Sequence, residues 1–148
     1  MNSEINHFEL DPEDFGEKTA YLEMDHEEAI EYVRDVCEKN GFGIIAEFSP
    51  SKVLNKKVDS DHDPYYVLGA CNAKFADKAL KQTMKIGGLF PCNMVIWEEK
   101  PGLQKVYHLS IMKLARLLDI APNNEEWQEI LEETGKNVES VFEELKSD

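Results

Sequence analysis

Cysteine, positive charge and long apolar runs are all scarce in this chain of 148 residues. Cysteine occurs three times, an odd number, which fits free thiols in a reducing cytosol and not a disulfide framework. No apolar run reaches the roughly 18 residues that a membrane-spanning helix needs. Met1 to Leu10 carry neither a basic start nor an apolar core, so a secretory signal is not expected and the expected location is cytoplasmic. There are 16 Lys/Arg against 30 Asp/Glu, a formal charge of −14. That balance opposes nucleic acid as a partner, because phosphate binding needs a basic footprint. It equally opposes a polybasic membrane patch.

What remains is ordinary globular material, 42% hydrophobic and 31% charged, of a length that favours one domain. The acid is uneven. Residues 1–35 carry a net −10, residues 36–122 a net +3 and residues 123–148 a net −7. Residues 1–16 read as an acidic N-terminal arm, and residues 17–148 as a single domain closed by an acidic helix over 124–146.

Weak alternation over 18–24 predicts a first strand. Asp25 with Glu28 has capping-box spacing, and Ala29, Ile30, Val33, Val36 and Cys37 recur at helical spacing up to Asn40-Gly41. A second strand is expected over 42–48, with Phe42, Ile44, Ala46 and Phe48 on one side, then a short helical turn over 51–58. A third strand over 65–70 leads to Asn72 as N-cap of a helix from 73 to about 83, with Phe75, Ala76, Ala79 and Leu80 inward. Gly87-Gly88 predicts a turn. The nearly all-apolar run 92–98 predicts a central strand buried on both faces, paired through Pro101-Gly102 with a strand over 104–109. A helix over 111–118 follows. Asn124 then caps a last helix whose apolar stripe runs from Trp127 to Leu145, with Gly135 beside it as a packing point or a break. Hairpins mixed with helices define an α+β fold, a two-layer sandwich with a mainly antiparallel sheet and helices on one face.

The segment from Tyr65 to Glu98 is the most distinctive. Val67-Leu68-Gly69-Ala70-Cys71-Asn72 and Leu89-Phe90-Pro91-Cys92-Asn93-Met94-Val95 flank an Ala-rich helix. These pieces and their spacing resemble the family called domain of unknown function 302, over about residues 17–112. The resemblance implies a TATA-binding-protein-like sheet-and-helix arrangement and a homodimer. It implies no reaction, cofactor or catalytic residue. Family members commonly place Pro after the first Cys-Asn, where this chain has Ala73.

The two Cys-Asn pairs are the candidate site. A thiol beside a helix N-terminus is favoured as thiolate, and an adjacent Asn can cap the helix or meet a ligand. Gly87 and Gly88 offer permissive backbone ahead of the second pair. Cys71, Asn72, Gly87, Gly88, Cys92 and Asn93 are therefore expected to converge on a pocket for a small ligand or partner. A thiol, redox or sulfur-handling role is the alternative, and a purely structural interaction domain is a second. The bland account makes both cysteines buried apolar residues and both asparagines caps or turns.

Other motifs point nowhere firm. His7, His26, His62 and His108 form no HxxxH or HExxH, and Asp59, Asp61 and Asp63 lack the Gly and Glu that would complete a calcium loop, so no metal is expected. No P-loop, GxGxxG or nucleophile elbow occurs, so no cofactor is expected and no catalytic residue is assigned. His108 reads as structural. A Lys74, Lys78, Lys81 and Lys85 stripe, and the acids on the outer face of the last helix, are candidates for steering a partner or a second subunit.

Overall fold

Five extended stretches set the architecture. The computed structural model describes residues 10–147; the remainder of the expected arm, including His7 and Phe8, lies outside them. The elements run β1 (Lys18–Glu23), α1 (His26–Lys39), β2 (Gly43–Phe48), α2 (Pro50–Lys57), β3 (Tyr65–Cys71), α3 (Ala73–Gln82), a short 3-10 turn (Met84–Gly88), β4 (Cys92–Lys100), β5 (Leu103–His108), α4 (Ile111–Leu117) and α5 (Glu125–Lys146). The strands form one antiparallel sheet in the order β1-β5-β4-β3-β2. The α+β class and the helices on one face are as the sequence predicts.

In β1 and β5, every second residue is buried: Ala20 and Leu22, then Gln104, Val106 and His108. With Leu68, Ala70, Met94 and Ile96 they meet α1 and α5 in one core. Val138, Val141, Phe142 and Leu145 carry the α5 side of it. Each fully buried large side chain contributes roughly 1.5–3 kcal/mol, enough to hold an acidic helix on the sheet. A second cluster joins Ala79, Ile86, Met112, Ala115, Trp127 and Ile130 beneath α3 and α4.

Four local expectations change. First, Asp25 sits at the N-cap of α1 but makes no side-chain cap, so the capping box does not form. Second, a bulge between Ile44 and Ala46 reverses the alternation in β2. Ile44 pairs with buried Ala70, while Ala46 and Phe48 take the opposite face, and Phe48 is 54% exposed. Third, β4 is central but buried on one face, with Asn93, Val95 and Trp97 on the uncovered side. Fourth, Leu80 is exposed, and Gly135 is an open position in an unbroken α5. The lysine stripe and the acidic helix lie on neighbouring elements of the same chain: Gln82 of α3 donates to Glu126 of α5 at 2.6 Å.

Arg34 of α1 grips Glu47 of β2 through two hydrogen bonds, at 2.6 and 2.8 Å, and Tyr66 donates to the same carboxylate. Arg34 and then Tyr66 hold the Glu47 carboxyl down at about 2. This tie fastens edge strand β2 to the helical layer.

Candidate functional site

Asn72 ends β3 and opens α3. Its Oδ1 accepts from the backbone N–H of Lys74 at 3.1 Å and of Phe75 at 3.4 Å, so the amide is a working N-cap. Both bonds need the oxygen on the helix side. Nδ2 therefore faces Gly41, where an added Cβ would lie 3.1 Å from it. Gly41 sits at φ +88, the left-handed region that ends α1 at low cost.

The two sequence pieces interlock. Gly69 pairs with Asn93 across β3 and β4. A Cβ on Gly69 would lie 2.8 Å from Cγ of Pro91 and 3.0 Å from the carbonyl oxygen of Ala46. The missing side chain of the first piece is the space that the proline of the second occupies. One residue on, Ala70 pairs with Cys92.

That pairing brings Cys71 and Cys92 to a shared cavity of about 50 Å³. Asn72 and Thr134 also line it, and Phe42, Phe75 and Met112 supply much of the apolar remainder. Among the described residues no charged side chain lines it. Among the described residues all three cysteines are free thiols. Burial pushes the Cys92 thiol up to about 12, and the neighbouring Cys71 adds to the rise. Cys37, buried in α1, is likewise pushed up to about 12 by burial. Thiolate favoured by a helix N-terminus was the premise for nucleophilic chemistry. At Cys92 the environment works the other way.

The remaining predicted residues do not join this cavity. Asn93 follows Cys92 in a strand, so its side chain leaves on the other face and is exposed. Its carbonyl oxygen instead accepts Nδ1–H of His108 at 2.8 Å. Gly87 and Gly88 lie in the exposed 3-10 turn, and a Cβ at either would meet nothing within 4 Å.

His108 is the residue that the sequence undervalues. It is 3% exposed, and Val95 pairs with Tyr107, which puts His108 diagonal to Cys92 on the helical side. Together they border a larger cleft of about 480 Å³, which also reaches Lys18, Ser110, Lys113 and Thr134. Cys92 and Thr134 are thus shared walls of a small apolar cavity and a roomier polar cleft. Thr134 donates to the Ile130 carbonyl at 2.6 Å, leaving its oxygen free to accept.

Burial holds the His108 imidazole below its ordinary 6.5, against the opposing pull of the Asn93 carbonyl. A histidine depressed on folding stabilises the native state fully above about pH 6.5 and progressively less below it. Urea midpoints should therefore fall between pH 7.5 and 5.5, and fall less in His108→Gln. An identical pH slope in that variant would remove His108 from the account.

The comparisons with known proteins agree with this frame. The model of the family described as domain of unknown function DUF302 matches residues 18–145. The chain belongs to that family. The match extends beyond the motif region through α5, which supplies Thr134. A crystal structure of an uncharacterized conserved DUF302 protein from Bacillus stearothermophilus superposes with a TM-score of 0.76 at 22% identity, covering 88% of this chain and 98% of that one. No curated protein matches the sequence. Among the described residues no helix is long and apolar enough to cross a membrane.

Proposed function

We propose that this is a non-catalytic binding domain, whose small ligand places a short apolar end between Cys71 and Cys92 and a polar body in the cleft beside His108. The observation that carries this reading is the uncharged cavity shared by the two Cys-Asn pieces. Its volume of about 50 Å³ suits a few heavy atoms, not a whole metabolite, since one water needs roughly 10–15 Å³ by the same measure. The adjoining cleft of about 480 Å³ has room for the rest. Three unpaired thiols fit the reducing, cytoplasmic setting inferred from the sequence.

Thiol labelling separates binding from cysteine chemistry. At pH 8, Cys92 in the native protein should react with iodoacetamide at least roughly a hundredfold more slowly than in the unfolded chain. A fast native Cys92 would favour the thiol-handling alternative and overturn this reading.

A second observation concerns assembly. Among the described residues the sheet face away from the helices is uncovered and aromatic: Tyr65 stacks on Trp97 at 5.9 Å, and Tyr21 is 54% exposed. Lys105 lies over the rings of Tyr21 and Trp97, at 5.4 and 5.6 Å. Exposed Glu23 and Glu99 on flanking strands give a two-fold copy of Lys105 an opposite charge to meet. We infer a homodimer through this face. Light scattering should give twice the chain mass, and the mass of one chain in Lys105→Glu. A wild-type monomer at tens of micromolar would contradict it.

A further inference from the structure

A buried glutamine sits where strand alternation calls for an apolar side chain. Gln104 is fully buried in β5, next in its row to Val106. Its Nε2 donates to the Met24 carbonyl at 3.3 Å and to Oε1 of Glu98 at 3.0 Å. Both partners are acceptors, so this atom must be the nitrogen. Oε1 is therefore the atom 2.7 Å from Nδ1 of His26. An oxygen there requires the proton on Nδ1. In the neutral ring the lone pair is then on Nε2, which makes no hydrogen bond among the described residues.

The relay Glu98–Gln104–His26 ends in two cavities. His26 borders one of about 380 Å³, between α1 and α2. Glu98 borders another of about 480 Å³, with Leu54, Asp63, Tyr65 and Trp97. His62, Ser51 and Pro64 line both. Asn55 pins the His62 backbone from both sides, at 2.8 and 3.1 Å, which leaves the imidazole free to face them.

We propose that these cavities form one cleft for a small organic amine, at the opposite end of the sheet from the cysteines. The polar groups offered to a ligand are mostly acceptors: Nε2 of His26 and the carboxylates of Glu27, Asp63 and Glu98. Of the two bases, Arg34 is committed to Glu47 and Glu31, which leaves Lys52. Pro50, Leu54 and Pro64 provide an apolar wall for a ring or chain, beside the Tyr65–Trp97 pair that faces the inferred dimer contact. The net charge of −14 concentrates cations near any such opening.

Three probes with one skeleton test this: phenethylamine, 2-phenylethanol and phenylacetate, followed by NMR. The amine should give saturable shifts at His26, His62 and the Trp97 indole, about tenfold tighter than the alcohol, with the carboxylate inert. The His26 ring nitrogens should report the Nδ1–H tautomer before any ligand is added. Glu98→Gln, which is nearly isosteric, should weaken the amine about fivefold or more, and Gln104→Leu should do so with loss of the fixed tautomer. Equal affinity for amine and alcohol would overturn the proposal. So would shifts confined to the acidic face of α5, or unchanged affinity in both variants.

Discussion

Replacing Trp127 by alanine is expected to lower stability by about 3–5 kcal/mol, the usual cost of deleting a fully buried large aromatic. Trp127 is 0% exposed, and its Nε1 donates to the Met112 carbonyl at 3.0 Å. The indole thus fills the second core and ties α5 to α4. Met112 also lines the Cys71–Cys92 cavity, so that wall rests on this contact. At roughly 2–4 °C per kcal/mol for a chain of this size, the thermal midpoint should drop by about 6–20 °C. Trp127→Phe keeps much of the volume and should lie between. A drop of a degree or two in the alanine variant would mean that α4 and α5 are held together elsewhere.

Gly69→Val is expected to cost about 2–3 kcal/mol, although valine is the better strand former in isolation. The sign follows from the two contacts at 2.8 and 3.0 Å that a Cβ would make. One of them is with a backbone oxygen, which cannot swing aside. Pro91→Ala in the same chain should recover part of the loss, because the other contact is with the proline ring. Chemical denaturation of the four proteins in that cycle would measure the coupling. Strict additivity would deny that the two sequence pieces interlock.

Much of the fold is legible in the sequence, because period and punctuation agree in most elements. Asn72 and Asn124 both cap as their positions suggest, and the Pro101-Gly102 hairpin falls where two apolar runs meet. The failures have local causes. The β2 bulge adds a residue that apolar alternation cannot reveal, since Ile44 and Ile45 are equally apolar. The β4 run looks buried on both sides because Val95 and Trp97 are apolar on the face that, among the described residues, no helix covers.

The site divides the same way. Cys71 and Cys92 are found together because β3, which ends at Cys71, and β4, which begins at Cys92, pair antiparallel. Asn93 could have been set aside on sequence alone, since neighbours in a strand point to opposite faces. Gly87 and Gly88 offer backbone freedom, which says nothing of direction. His108 was reachable by counting the register outward from Pro101-Gly102. Thr134 was not, because it arrives on a helix whose docking depends on the whole core.

On the proposed reading, the cavity between Cys71 and Cys92 receives a small apolar group. Titration with isopropanol, read through side-chain methyl signals, tests it most directly. Saturable shifts are expected at Met112, Ala76 and Thr134, and their loss in Ala76→Leu, which fills the space. Shifts that stay linear and spread over the exposed methyls, unchanged in Ala76→Leu, would contradict it.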